Sequence, residues 1–267
     1  MSMPNKMTHR IYLIIILALL QGCSSVYARF TYDFNTSKQD SRVFYEIGAE
    51  DLATKISAKL DVYLSTIENM QYQSFKSSEE LKVYVFADKN RYANFSNSTL
   101  LARGSATTNE IYISPIIRKR IETLENIVVH ELSHVHLRQY IGTLSYWTEV
   151  PGWFHEGLAV EISGGGGAEK VSNKQAIAAI KSGKHFTPQQ KSSLFGHKFA
   201  HDYNLKPQLY YRQSNLFVHY LINKNPEAFK AVYLALIKGA RFRDVWTEQY
   251  GKSIPVLWHD FLNEAQA

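Results

Sequence analysis

Residues 130–134 read His130-Glu131-Leu132-Ser133-His134 and lie inside a long apolar segment that predicts an α-helix. Residues four apart lie on one face of a helix, so the two histidines can direct their imidazoles at the same point. Glu131 lies one position around the helix from His130 and can reach a water molecule near that point. Two imidazoles and one carboxylate in this arrangement predict a zinc site with its general base on a single helical turn.

Composition does not account for this motif. A chain of 267 residues with 10 histidines is expected to contain about 0.02 chance matches to it. Buried histidine and glutamate side chains are unfavourable unless a partner satisfies them, and a metal ion would do so. The alternative is a pair of core histidines bonded to neighbouring side chains. The surrounding residues are apolar on nearly every side of the helix, which is typical of a buried helix: Ile121, Leu124, Ile127, Val128, Val129, Leu132, Val135 and Leu137.

Residues 1–22 are predicted to be a signal peptide of the lipoprotein type. A positively charged start precedes an apolar segment at residues 11–20, which is too short to span a membrane. The segment Leu20-Gln21-Gly22-Cys23-Ser24 resembles a bacterial lipobox, with Cys23 as the lipid-modified N-terminus. This predicts an exported protein that faces the periplasm on a membrane anchor, with the outer membrane favoured by the serine after Cys23. The alternative is cleavage after Ala28, which would leave a soluble periplasmic or secreted protein.

Cysteine usage and charge limit the ligands and partners. Cys23 is the only cysteine, so the rest of the chain offers histidine and carboxylate ligands but no thiolate. A disulfide within one chain is excluded. The formal net charge is +6, and the tightest basic cluster, Arg118-Lys119-Arg120, is typical of a solvated helix start. We therefore expect no nucleic-acid partner.

The sequence predicts an α+β fold in two lobes. Residues 23–150 are predicted to form an α+β lobe with a small mixed sheet and the helix of His130, and residues 151–267 an all-helical lobe. Four glycines at residues 164–167 predict a linker, with a flexible edge of the cleft as the alternative. Alternating apolar and aromatic residues predict strands at residues 81–86 and 107–113. Helical spacing predicts helices at residues 50–69, 91–95, 122–140, 153–161, 173–182, 208–223, 226–238, 241–250 and 255–265.

A third zinc ligand is needed, because catalytic zinc usually takes three protein ligands and one water molecule. The metzincin pattern requires glycine and histidine at the positions of Leu137 and Tyr140, so it is excluded. A later segment, Trp153-Phe154-His155-Glu156-Gly157-Leu158-Ala159, offers His155 and Glu156. These two side chains would point about 100° apart on a helix, and spacing alone leaves both open.

This later segment closely resembles the W-x-x-E-G-x-A helix of the gluzincins. With the motif at residues 130–134 and with Tyr211-Arg212-Gln213-Ser214 at the start of a helix, it makes residues 81–267 similar to the peptidase MA-like family of gluzincin zinc metallopeptidases. The resemblance implies that the first lobe is zincin-like. It also implies a Zn²⁺ ion held by His130, His134 and Glu156, with Glu131 as the general base.

The resemblance further implies that Tyr211 donates a hydrogen bond to the oxyanion that forms during hydrolysis. In the predicted helix at residues 208–223, Tyr211 lies off the apolar stripe, so it could face a cleft. The alternatives are a Tyr211 packed between helices, or Tyr210 or His201 in the same role. Asn126, one turn before the motif, is a candidate to orient an imidazole ligand.

Together these predictions indicate an exported zinc-dependent metallopeptidase that hydrolyses peptide bonds in a peptide or protein substrate. Glu131 would take a proton from the attacking water and later pass it to the leaving amine. One alternative is a non-catalytic, zinc-stabilised binding or scaffolding lipoprotein of the same fold. Another is a metal-dependent hydrolase of a non-peptide bond. The intact Glu131 favours catalysis, because a purely structural zinc site needs no general base.

Overall fold

The computed structural model describes residues 28–193 and 196–266. The predicted signal peptide at residues 1–22 and the predicted lipid-modified Cys23 lie outside the described residues. Within the described ranges, no helix is both long enough and apolar enough to cross a membrane.

Five short strands form one mixed sheet in the order β1-β2-β3-β5-β4. The central strand β3 pairs in parallel with β2 and with β5. The outer strands β1 and β4 pair antiparallel with β2 and β5, so β4 has one unpaired edge in the described structure. The strands are β1 (Asn35–Thr36), β2 (Val43–Tyr45), β3 (Lys82–Val85), β4 (Gly104–Ala106) and β5 (Glu110–Ile113).

Helices surround the sheet and form all of the regular structure in the described residues after residue 123. The small mixed sheet, the helix that carries residues 130–134 and the helical remainder confirm the predicted α+β fold class. The division into lobes at residue 150 stays a prediction. The helices are α1 (Glu50–Ser57), α2 (Leu60–Met70), α3 (Lys89–Ser96), α4 (Leu124–Thr148), α5 (Gly152–Ile162), α6 (Asn173–Lys181), α7 (Pro207–Lys224), α8 (Pro226–Ile237), α9 (Phe242–Tyr250) and α10 (Ile254–Gln266).

The sheet is buried on both faces, as the alternation along β3 indicates. Val83 and Val85 belong to the larger apolar core, which also contains residues of α4 and of the C-terminal helices. Tyr84 and Phe86 point to the opposite face and pack with Tyr112 in a smaller aromatic core. Successive side chains of a strand point to opposite faces, so one short strand contributes to both cores.

The central helix α4 is enclosed on all sides along its middle. Every residue from 127 to 139 is buried, as the apolar surroundings predict, whereas Ile121 lies before the helix and is exposed. Gly142 has φ +77° and ψ 159°, values outside the helical region. The regular helix is interrupted there, two residues after its predicted end at residue 140, but the chain resumes a helical path to Thr148.

Two predicted elements differ from the structure. The helix predicted at residues 50–69 is two helices, α1 and α2, because Ala58 and Lys59 interrupt it. The strand predicted at residues 107–113 is the second half of a hairpin, in which the amide of Thr107 donates to the carbonyl of Glu110 at the turn. Its first half, β4, is only three residues long, too short for an alternating pattern to predict.

Gly157 allows α5 to approach α7 closely. A Cβ atom at position 157 would lie 2.5 Å from the carbonyl oxygen of Ser214 and 2.8 Å from a methyl carbon of Val218. Real Cβ atoms do not approach backbone atoms so closely, so the two helices would have to separate. The glycine of the W-x-x-E-G-x-A segment therefore sets the distance between the helices that carry Glu156 and Tyr211.

We expect Gly157→Ala to destabilise the protein by about 1–3 kcal/mol, because the added methyl group overpacks the contact between α5 and α7. Urea unfolding followed by circular dichroism measures the change as a lower midpoint with an unchanged slope. An unchanged midpoint would contradict the close approach of these helices.

Candidate metal centre

Two helices bring four polar side chains together in the interior. The middle of α4 contributes His130, Glu131 and His134, and α5 contributes Glu156. These residues are only 5%, 8%, 7% and 8% exposed, respectively. Buried titratable groups in such density require either mutual satisfaction or a bound ion.

The donor atoms are spaced as a tetrahedral metal ion requires. The Nε2 atoms of His130 and His134 are 3.1 Å apart, and Oε2 of Glu156 lies 3.3 and 3.7 Å from them. Zinc bonds of about 2.0–2.1 Å in tetrahedral geometry separate ligand atoms by about 3.3–3.4 Å. The same Oε2 is buried and accepts no hydrogen bond from the described residues. These three residues could therefore hold a metal ion.

The protonation of the two imidazoles is compatible with metal binding. Burial, with the nearby positive charge of His130, lowers the pKa of His134 well below its ordinary value, so its ring is neutral. Burial acts to lower the pKa of His130, but the close carboxylate of Glu156, 3.3 Å from its Nε2, outweighs burial and raises that pKa. A metal ion at the centre would displace the proton of His130, since metal ligation requires neutral imidazoles.

His155, the rival third ligand, lies beside the centre but points elsewhere. Its Nε2 is 3.4 Å from Nε2 of His197, and its Nδ1 is 3.5 Å from Oε1 of Glu156. The group of mutually close donor atoms in the described structure contains Glu156 and not His155. The helical rotation between adjacent residues thus directs Glu156 at the two imidazoles and His155 away from them.

Glu131 lies against the edge strand of the sheet. A Cβ atom at position 104 would be 2.8 Å from Cγ and 2.9 Å from Oε1 of Glu131, so Gly104 makes room for this carboxyl group. Burial, together with the charge of Glu156, raises the pKa of Glu131 to about 7, against the opposing charges of His130, Arg138 and Arg103. A carboxyl group with a pKa near neutrality can both accept and return a proton.

Tyr211 also lies at the centre. Its ring centroid is 6.3 Å from that of His130, and its hydroxyl has no hydrogen-bond partner among the described residues. The charge of Glu156, together with burial, raises the pKa of Tyr211 well above its ordinary value. The hydroxyl therefore keeps its proton and is free to donate it in a hydrogen bond.

The two alternatives to Tyr211 lie away from the donor atoms. Tyr210 is buried, and its hydroxyl donates to the carbonyl of Lys198. The side chain of His201 is 81% exposed and pairs with Asp202. Of these three candidates from the sequence, the structure brings only Tyr211 to the group of His130, His134 and Glu156.

The glycine loop at residues 164–167 reaches the centre through Gly167, so it is not a plain linker. A Cβ atom at position 167 would lie 3.3 Å from Cε1 of His130 and 3.2 Å from Cδ2 of Tyr211. Gly165 and Gly167 adopt φ values of +112° and +86°, which favour glycine. Asn126 donates from Nδ2 to the carbonyl of Ser163, so it fixes this loop and does not orient an imidazole.

Tyr146, which no sequence pattern predicted, holds one of the candidate metal-binding imidazoles in place. The hydroxyl of Tyr146 is 3.0 Å from Nδ1 of His134. Tyr146 is fully buried and follows the interruption of α4 at Gly142. That break abolishes the simple helical register between positions 134 and 146, so no spacing rule relates the two residues.

We expect Tyr146→Phe to weaken metal binding by about 10–100-fold, because partners of a ligand imidazole fix its tautomer and orientation. Competition with a chelating indicator measures the affinity. The matched control is Tyr140→Phe on the same helix, whose hydroxyl donates to the carbonyl of Ser74. Equal metal affinities in the two variants would show that Tyr146 does not orient the imidazole of His134.

The fold and the site define an α+β protein with a candidate metal centre of two histidines and one glutamate. No protein-family model matches the sequence, and no curated protein matches it. The structure of native yeast LTA4 hydrolase is similar, with a TM-score of 0.51 and 15% identity over 86% of this chain and 39% of that chain. The same hydrolase in complex with bestatin gives a TM-score of 0.47 and 15% identity over 87% and 36%. The chain spans about two fifths of the length of the native hydrolase, and this likeness is one of fold.

Proposed function

We propose that the protein is a zinc-dependent metallopeptidase of the gluzincin type that hydrolyses peptide bonds in a peptide or protein substrate. The observation that carries the proposal is the triangle of donor atoms from His130, His134 and Glu156, with separations of 3.1, 3.3 and 3.7 Å. The adjacent carboxyl group of Glu131, buried beside these atoms, supports a catalytic rather than a structural site.

The side chains of the centre have complementary roles in this proposal. A bound zinc ion would supply a Lewis acid that polarises the scissile carbonyl and makes water a better nucleophile. Glu131 takes the proton of the attacking water and then gives it to the leaving amine. A pKa of about 7 for Glu131 suits both transfers near neutral pH. Tyr211 donates its hydroxyl hydrogen to the oxygen on which negative charge develops.

We expect Tyr211→Phe to lower kcat by about 10²–10³-fold with a smaller change in KM, because the lost hydrogen bond acts mainly in the transition state. Steady-state kinetics on one peptide substrate measures both constants, and elemental analysis checks that zinc content is unchanged. A similar kcat in the variant and the wild type would assign the role to another donor.

We also propose that the protein acts after export, on a lipid anchor at Cys23. The positively charged start, the apolar segment at residues 11–20 and the lipobox-like residues before Cys23 support this location. Metabolic labelling with a fatty acid, in wild type and Cys23→Ala, tests the anchor. Equal labelling of the two chains would contradict it.

The peptidase proposal is tested by incubating the purified full chain with a peptide library and analysing the products by mass spectrometry. We expect new termini in the zinc-loaded protein and none after chelation, with recovery when zinc is restored. Zinc binding without cleavage of any peptide would instead favour a non-catalytic binding protein. Absence of zinc binding would overturn the metal centre itself.

A further inference from the structure

Arg138 is a buried arginine at the metal centre. It follows His134 by one turn of α4 and lies on the same face of the helix as His134 and Glu131. Only 7% of the residue is exposed. A guanidinium remains charged under all ordinary conditions, so the structure buries a permanent positive charge beside the catalytic side chains.

Among residues 28–193 and 196–266, Arg138 has no acidic side chain as a partner, which buried arginines normally have. One terminal nitrogen donates to the carbonyl of Ala106, and the guanidinium carbon lies 4.1 Å from the ring centroid of Tyr146 and 5.3 Å from that of Trp147. Its Nε is buried without an acceptor among the described residues, and the guanidinium also bonds to the side chain of Tyr146. Contacts with aromatic faces offset only part of the desolvation of a charge.

Arg42 shows the carboxylate contact that Arg138 lacks. Nε and Nη2 of Arg42 hold the carboxylate of Asp40 at 2.9 and 2.6 Å. This side of the guanidinium is the one that fits both oxygens of a carboxylate. In Arg138 the same two nitrogens have no carboxylate in the described structure.

Arg138 also lies at the edge where a substrate can approach. The carbonyl of Arg103 and the amide of Thr107 both bond to β5. Because backbone groups alternate in direction along a strand, those of Gly104 and Ala106 point away from β5, toward the unpaired edge. An exposed sheet edge can pair with an extended peptide. Because the Ala106 carbonyl at this edge accepts from the guanidinium of Arg138, a peptide paired with β4 would lie beside that guanidinium.

The net charge of the buried side chains also favours a negatively charged ligand beside Arg138. With a divalent metal ion bound, the ionised carboxylates of Glu131 and Glu156 would together balance its two positive charges. The guanidinium of Arg138 then remains as an unbalanced positive charge within the group of buried side chains. A ligand that brings one negative charge would neutralise it in a site of low dielectric, where the attraction is strong.

We propose that Arg138 recognises a carboxylate of the substrate close to the scissile bond, supplied either by an acidic side chain or by a free C-terminus. This inference rests on the proposed peptidase function and names the substrate class of the same site. The substrate carboxylate takes the Nε and Nη2 side of the guanidinium, as Asp40 does on Arg42.

The test compares matched peptides that carry Glu, Gln or Lys at single positions around the cleavage site, each with a free or an amidated C-terminus. We expect kcat/KM to be about 10–100-fold higher for the acidic member of the decisive pair, because hydrogen bonds to charged groups contribute that much. Preference for Glu over Gln assigns the carboxylate to a side chain. Preference for the free terminus over the amide assigns it to the C-terminus. Equal rates in both comparisons would overturn the proposal.

Variants show whether a preference for acidic peptides comes from Arg138 or from the net positive charge of the protein. We expect Arg138→Gln to bring the ratio of kcat/KM for acidic and neutral peptides close to one, and Arg138→Lys to keep part of it. The ratio is measured within each variant, so a loss of folded protein cancels. Arg212→Gln is the matched control, because the guanidinium of Arg212 is held by the carbonyls of Val171 and Ala168 and by Asn215. An unchanged ratio in Arg138→Gln would overturn the proposal.

The Glu131→Gln variant allows peptide binding to be measured without cleavage. Binding is followed by the fluorescence of Trp147, which lies beside Arg138. We expect the acidic peptide to bind more tightly than the neutral one, and the additional change Arg138→Gln to remove the difference. A preference in binding without cleavage by the wild type would support recognition by Arg138 and contradict the peptidase function. Equal binding of both peptides would overturn the role of Arg138 and leave the peptidase function standing.

Discussion

Replacing Glu131 with glutamine is expected to lower kcat by about 10²–10⁴-fold, the range that general acid–base catalysis contributes. Glutamine has nearly the same shape as glutamate, so it fits the space beside Gly104, where a Cβ atom would lie only 2.8 Å from Cγ of residue 131. It cannot accept a proton from water near neutral pH. The loss therefore reports on proton transfer and not on the fold.

The zinc content of Glu131→Gln separates this effect from damage to the centre. Glu131 is not among the three residues whose donor atoms form the group that could hold a metal. We therefore expect the variant to bind zinc in the same proportion as the wild type, by elemental analysis of the purified proteins. Retained turnover in the zinc-loaded variant would exclude Glu131 as the general base.

Replacing Glu156 with alanine is expected to weaken zinc binding strongly. Loss of a residue that only supports a metal ligand weakens metal binding by about 10–100-fold, and we expect a larger loss when the ligand itself is removed. Removal of this carboxylate leaves two imidazoles, whereas catalytic zinc usually takes three protein ligands. Both imidazoles come from α4, so the metal would lose its bond to α5. Chelator competition at fixed pH measures the affinity.

His155→Ala is the matched control on the same helix. Its imidazole faces His197 at 3.4 Å and lies outside the group of donor atoms. We expect this variant to bind zinc far more tightly than Glu156→Ala. The reverse order would make His155 the third ligand and would require α5 to rotate by about 100°.

The parts of the centre that sequence could predict are those fixed by one helical turn. His130, Glu131 and His134 are adjacent along α4, so helical geometry alone brings them together. Glu156 required the resemblance to a known motif, because spacing could not choose between it and His155. The structure gives a physical reason why Glu156, and not His155, faces the two imidazoles. Gly157 lets α5 lie close to α7, and this contact fixes the rotation of α5 about its own axis.

Other features depend on contacts between distant segments, which no local pattern contains. The edge strand β4 has only three residues. It contributes to the centre because Gly104 lies against the side chain of Glu131. Tyr146 reaches His134 only because α4 is interrupted at Gly142. The glycines at residues 164–167 look like a linker by composition, yet Gly167 lies against His130 and Tyr211, and Gly166 lies against the backbone of Asn126.

The most direct test of the account is a zinc titration of the metal-free full chain while peptide cleavage is followed. We predict that activity rises in proportion to added zinc, stops rising at one zinc per chain, and does not appear in Glu131→Gln. Cleavage that is independent of zinc, or zinc bound in equal amount by Glu156→Ala, would contradict a catalytic centre built from His130, His134 and Glu156.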